Sequence, residues 1–315
     1  MGKFIKIISS LFLALSLVIN CGCAGDSLES PNSSGTSNST AAAQWDNTPK
    51  VLTPVASGVT ILGNSSVTID TSNSYDGYIM VMYTGSASKI KFLITTPDNV
   101  KYTYDLIPSS EYSTLPLTGG SGTYTIQAME HVIDNKYSTL YTSTLDINLT
   151  SEFAPFLYPN QYTWFSSESA AVQKASELTS SATDALSAIE QIYNYVIENV
   201  TYDTVKAKTV TSSYLPDVDN TLTSGSGICF DYAALMTAML RSQGIPTKLE
   251  IGYSGELYHA WISTYSEKTG WINNVIHFNG QDWSLMDPTL AASNSSQTVK
   301  SYVGDGSNYT VKYSR

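Results

Sequence analysis

The 315-residue chain is 42% apolar and 11% aromatic, with only 14% charged residues, which excludes a wholly disordered or collagen-like protein and leaves room for two domains with cores of their own. Sixteen basic against 27 acidic residues give a formal charge of −11. A surface of that sign repels phosphate backbones, and no basic stripe with interleaved aromatics occurs, so nucleic acid is excluded as a partner.

Residues 1–23 read as an export signal. Lys3 and Lys6 precede the apolar run IISSLFLALSLVI, and Cys21 and Cys23 follow at once. The run falls short of the roughly 20 residues that a bilayer-spanning helix needs. A short apolar core ending in small residues and a cysteine is similar to a bacterial lipoprotein signal, in which the cysteine is lipidated and becomes the mature N-terminus. Cys23, preceded by Gly22, is the expected lipidation site and Cys21 the alternative; a plain secretory peptide cut nearby is the other reading. The expectation is an exported protein held at the cell surface by a lipid anchor in the membrane.

Residues 24–50, rich in Ser, Asn, Thr and Ala, bury too little to order themselves and read as a disordered polar tether. From 51 to 150 the pattern changes to short alternating runs, SVTIDT, GYIMVMYTG, KIKFLITT, VKYTYDLI, GTYTIQAMEH and STLYTSTLDINLT. In KIKFLITT, Ile90, Phe92 and Ile94 share one face and Lys89 and Lys91 the other, as in a half-buried antiparallel sheet. Turn residues recur at the spacing of a sandwich of about 100 residues, and the segment is read as an immunoglobulin-like spacer or binding module. His131 stands alone at a strand end and is assigned to surface or packing.

From 151 to 315 helical periodicity enters. Ser167 to Leu178 is a short helix candidate; Thr183 is taken as the cap of a longer one that aligns Leu186, Ile189, Tyr193, Val196 and Val200 on one face. Next comes TSGSGICFDYAALMTAMLRSQGIPTKLEIGY. Gly225 and Gly227 give a flexible approach, Cys229 starts a nearly all-apolar helix with a narrow polar strip at Asp231, Thr237 and Arg241, and Gly244 and Pro246 end it. Cys21 and Cys23 belong to the leader, so the body keeps Cys229 alone and no disulfide can form within it. A thiol at a helix start faces unpaired backbone N–H groups and the positive end of the helix dipole, which favour the thiolate. Amide chemistry also needs an acid for the leaving amine. His259 supplies one at the start of the strand YHAWISTY, after the strand TKLEIGY and a turn, and Asp287 closes a later strand before Pro288, where it can orient the imidazole.

GICFDYAALMTAMLRSQGIP, then GY, then HAW, then W-x-x-x-DPT together resemble the transglutaminase-like superfamily, over roughly Tyr195 to Leu290. The resemblance implies a papain-like transglutaminase core, its Cys-bearing helix packed on an antiparallel sheet; together with the N-terminal immunoglobulin-like β-sandwich read from the strand pattern, the expected fold class is α+β. It maps the nucleophile onto Cys229, the general acid/base onto His259 and the orienting carboxylate onto Asp287, with Tyr202 as the oxyanion-hole candidate. It implies acyl transfer through a thioester on a peptide or protein substrate.

His277 and Asp282 are the competing residues, assigned to a hairpin and a turn; Trp261, Trp271 and Trp283 are read as sheet packing. Asp203, Asp217 and Asp219 lack calcium-loop spacing, so no metal or cofactor is expected. Thr247-Lys248 stands where relatives often carry arginine, a departure that leaves the substrate open. Gly304-Asp305-Gly306 is expected to turn a small edge hairpin. The expected activity is a cell-surface cysteine protease or amidase, with hydrolysis favoured over cross-linking. The alternative is a non-catalytic surface-binding protein on an inactive scaffold.

Overall fold

The computed structural model describes residues 44–106, 108–273, 276–278, 283–285, 289 and 307–315. The leader, Cys21, Cys23 and most of the tether lie outside them. No helix among the described residues is long and apolar enough to cross a membrane.

The stretch from 51 to 150 forms eight strands, β1 (Ile61–Gly63), β2 (Val67–Asp70), β3 (Tyr78–Tyr83), β4 (Ile90–Thr95), β5 (Lys101–Leu106), β6 (Ser109–Pro116), β7 (Gly122–Ile133) and β8 (Lys136–Ile147), of which the six alternating runs supply all but β1 and β6. They pair antiparallel into two sheets, β1-β2-β3-β6 and β5-β4-β7-β8. Period-two alternation decides which side chains are enclosed: β4 buries Ile90, Phe92 and Ile94 and turns Lys91, Leu93 and Thr95 outward. With Ile69, Val81, Tyr104, Tyr124 and Ile126 these make one apolar core shared by both sheets. β6 is not legible as a strand in the sequence. It lies at a sheet edge, and its exposed Ser109-Ser110-Glu111 half carries no apolar alternation; only Thr114, Leu115 and Pro116 are buried.

Residues 44–50 do not continue the tether. Trp45 N–H donates to the Ala182 carbonyl (2.9 Å), Lys50 N–H to that of Ser242 (2.7 Å), and the Asn47 amide to that of Ser176 (2.7 Å). Trp45 and Val51 pack on the helical core, so the tether expectation fails for this stretch: one large ring and its backbone bonds order an otherwise polar segment. The chain thus touches the helical body, runs through both sheets, and returns to that body after β8.

The helical body comprises α1 (Ala170–Leu178), α2 (Ala185–Asn199), α3 (Lys206–Thr209), α4 (Val218–Ser224) and α5 (Cys229–Ser242). The cap of α2 is Asp184, not Thr183: its carboxylate accepts the Ser187 N–H at 2.8 Å while Ser187 Oγ accepts the Asp184 N–H at 3.1 Å, a reciprocal arrangement that a carboxylate one residue later completes better. α5 packs on α1, α2 and α4 and on two strands, β11 (Thr247–Ser254) and β12 (Leu257–Ser266), that follow the short parallel pair β9 (Thr201–Tyr202) and β10 (Ser226–Gly227). Every residue from Asp231 to Ser242 is buried, including the predicted polar strip. Arg241 is tolerated there because its guanidinium donates to the carbonyls of Thr247 (2.9 and 2.8 Å), Tyr158 (2.7 Å) and Arg315 (2.7 Å).

The main sheet of this body runs β13 (Gly270–Ile272)-β12-β11-β16 (Tyr309–Ser314), all antiparallel; β14 (Ile276–Phe278) and β15 (Trp283–Leu285) form a separate antiparallel pair. β16 lies against β11, far away in sequence; the turn expected at Gly304-Asp305-Gly306 lies outside the described residues. The Arg315 guanidinium sits 3.9 Å from the Tyr162 ring centre and 4.9 Å from that of Tyr104, and so joins the last strand to the first body.

Candidate functional site

Cys229 is the first residue of α5, half-buried and unbridged. The loop that delivers it is held rather than flexible. Gly225, at φ +60°, ends α4 and gives its carbonyl to the Thr201 N–H (2.8 Å), and the Gly227 carbonyl accepts the Asp203 N–H (2.9 Å). A Cβ on Gly227 would lie 2.6 Å from that of Asp231, so only glycine fits. The Ile228 N–H donates to Asp231 Oδ2 at 2.8 Å. This carboxylate, fully buried, fills the third helical position and closes the turn ahead of the nucleophile.

Sequence reasoning placed Asp231 on a polar strip and gave it no role at the site. Its second oxygen accepts the Tyr214 hydroxyl, and the Lys206 ammonium stands 2.7 Å from Oδ2. Desolvation works against the Lys206 charge, but the bonds to Asp231 and Tyr214 outweigh it and hold its pKa above the ordinary range. Burial, then the hydrogen bond to Asp231, pushes the Tyr214 phenol up to about 12. The third helical position after a turn is where a capping carboxylate is expected, so Asp231 could have been read from sequence; the partnership with Lys206 and Tyr214, on another segment, could not.

Tyr202 and Cys229 are brought together. β9 pairs with β10 through Tyr202 and Gly227, and the pKa of the Tyr202 phenol is raised first by burial and then by the electrostatic influence of Cys229. Tyr202 thus lies on the strand beside the loop that leads into α5.

His259 lies on β12 opposite Gly252 of β11 and is buried. Ala260 and Ile262 enter the core that contains α5, while His259 and Trp261 occupy the alternate face. There the His259 ring stacks on Trp261 (6.1 Å, 24°) and lies 6.4 Å from Tyr309. Gly252 admits the close approach of β16: a Cβ would stand 2.0 Å from the Thr310 carbonyl oxygen.

Asp287 and its competitor Asp282 lie outside the described residues. So do the side chains of His277 and Trp283, whose backbones run in β14 and β15. Asp203, Asp217 and Asp219 each accept a backbone N–H. Asp203 accepts the Lys206 N–H (2.8 Å), Asp217 caps α4 through the Asn220 N–H (2.9 Å), and Asp219 accepts the Ala171 N–H (2.9 Å). His131 bonds the Asp134 carbonyl at 2.8 Å in the β7–β8 turn. Lys248, the departure from the arginine pattern, lies 4.0 Å from the Trp271 ring centre, with its pKa lowered by burial. Among the described residues no group of three His, Cys, Asp or Glu is placed to hold a metal ion.

Residues 172–274 match the sequence model of the transglutaminase-like superfamily. None of the curated proteins compared matches the chain. Among solved structures the chain is similar to a candidate cysteine protease of Cytophaga hutchinsonii, at 18% identity and TM-score 0.34, over 73% of this chain and 69% of that one. It is similar to red sea bream transglutaminase at 14% identity and TM-score 0.27, over 67% of this chain and 48% of that one. A candidate protease of Parabacteroides distasonis gives 13% identity and TM-score 0.29, over 66% and 62%.

Proposed function

We propose, from the transglutaminase-like domain that residues 172–274 form, that the chain is a cysteine acyl-transfer enzyme that cleaves amide bonds of peptides or proteins. The observation that supports this reading is the half-buried Cys229 thiol at the start of α5, reached through a loop that pairs with the strand of Tyr202. In the proposed cycle the Cys229 thiolate adds to the scissile carbonyl. The resulting oxyanion accepts hydrogen bonds from the Cys229 N–H and the Tyr202 hydroxyl. The C–N bond breaks as His259 gives its proton to the departing amine, leaving a thioester. Water then attacks the thioester, with His259 taking its proton, and the C–S bond breaks to release the acid and restore the thiolate. Asp287 orients the imidazole and stabilises its cationic form.

Hydrolysis is favoured over cross-linking, because a thiol that is partly open to solvent leaves the thioester within reach of water. Export through residues 1–23, a lipid on Cys23 and an immunoglobulin-like role for the two N-terminal sheets as spacer or binding module complete the proposal. The test is amine release from a panel of peptides and cell-wall fragments by the wild type and by Cys229→Ala. Release by the wild type that falls about 10³-fold or more in the variant is expected; equal release by both, or none by either, sinks the enzymatic reading. Mass spectrometry of the mature protein tests the anchor, since an unlipidated N-terminus away from both leader cysteines rejects it.

A further inference from the structure

Asp231 is fully buried two residues after Cys229, and both of its oxygens are engaged. One side of that network is the turn that presents the nucleophile; the other is the stretch from Thr201 to Tyr214. This stretch is tied down at its start by the two β9–β10 bonds to the carbonyls of Gly225 and Gly227. At its end the Tyr214 ring meets Phe230 edge-on at 6.4 Å. Between these points it packs little: Val205 is 70% exposed and no residue of α3 is buried. Lys206 is the inward anchor of α3: its ammonium stands 4.5 Å from the Tyr214 ring centre and 2.7 Å from the Asp231 carboxylate.

We propose that Lys206 and Asp231 form a latch that holds Thr201–Tyr214 as the wall of the Cys229 cleft, and that Asp231 is thereby a positioning residue for the nucleophile and for Tyr202. The inference rests on the reading of Cys229 as the reactive group. The geometry gives the latch two tasks. It fixes the Ile228 N–H away from the cleft, so that the first-turn N–H of Cys229 faces a reacting carbonyl. It also keeps Tyr202, four residues before Lys206, paired with Gly227 in the loop that leads into Cys229. A short α3 with an exposed outer face cannot hold that position by apolar burial, so the ion pair decides whether the wall is closed.

Lys206→Met keeps the apolar stem and removes the ammonium; Lys206→Arg restores a cation. The readouts are the rate at which folded protein reacts with iodoacetamide at Cys229, hydrogen exchange across 201–214, and the thermal midpoint. The expected result is a rise of about fivefold or more in alkylation rate for Lys206→Met, with faster exchange confined to 201–214 and both reversed in Lys206→Arg. A lower midpoint with unchanged alkylation and exchange assigns the ion pair to fold stability alone and overturns the proposal. Asp231→Asn is expected to behave like Lys206→Met; should it fail to fold, the two Lys206 variants carry the test. Failure of the catalytic reading is separate: if the wild type turns over no amide while Lys206→Met still unmasks the thiol, the latch stands and the enzyme does not.

Discussion

Between β4 and β7 the core consists of Ile90, Phe92, Ile94, Tyr124, Ile126 and Ala128, set inward by strand alternation, with its lysines on the outer face. Behind Cys229 the core also encloses Arg241, Asp231 and Glu250, none more than 6% exposed. That part of the first body is specified by a repeating pattern that any apolar residue of suitable size satisfies, and the body's buried carboxylate, Asp70, lies on another strand, β2. The second contains charges that are tolerable only when particular partners are in place, and two of the three sit at the ends of the helix that presents the thiol. Pattern suffices where the task is to enclose volume; named partners are needed where one atom must be held at one point.

This contrast can be broken by substitution. Arg241→Leu leaves the carbonyls of Thr247, Tyr158 and Arg315 without their donor, and the expected loss is about 4 kcal/mol in chemical denaturation; a loss below 1 kcal/mol would remove the distinction between the bodies. Phe92→Ala in the first core costs about 3 kcal/mol by cavity formation, and Ile126→Val about 1 kcal/mol. In both variants the alkylation rate of Cys229 in folded protein should stay at the wild-type value, because neither touches the loop before α5.

Glu250 sharpens the comparison through pH. Burial raises its pKa against the pull of Lys248 and of the hydrogen bond from Ser314 (3.4 Å). The folded state therefore holds the proton more tightly than the unfolded state, and the stability linked to this group, full below the ordinary carboxylate pKa, is lost as pH rises through the raised value. Glu250→Gln should remove that part of the pH slope, so that its unfolding midpoint relative to wild type improves between pH 4 and pH 7.5. An unchanged difference across that range would mean the carboxylate is not desolvated. The smallest effect is expected at the first body's surface. Lys91→Ala, which breaks a 3.0 Å pair with the half-exposed Asp105, should change stability by less than about 1 kcal/mol.

What could be read from the sequence follows the same division. Alternation located β4, β5 and β7 because each residue's side of the sheet is a local property. The start of α5 was legible from Gly227-Ile228-Cys229 and its end from Gly244-Ile245-Pro246, since caps and breakers act within a few residues. Tyr202 was picked out through the family resemblance, as the nearest upstream aromatic, and the parallel pairing of β9 with β10 sets it alongside Gly227, two residues before the thiol. Arg241 was misplaced on a polar strip because its acceptors come from three separate segments, which no periodicity encodes. Lys206 escaped for the same reason, and β6 escaped because half of an edge strand needs no apolar face.

The path of the backbone has a practical outcome. Trp45 and Lys50 dock on the helices before the strands of the first body begin, and the segment after β8 returns to those helices. The pair of sheets is thus an insertion in the covalent sense, with both of its ends sewn into the same neighbour. A fragment starting at residue 151 would leave the Ala182 and Ser242 carbonyls without their donors and strip the indole from the apolar seam. Separating the halves for study therefore calls for excising residues 52–150 and bridging the gap, with the docking residues left on the half that carries the thiol.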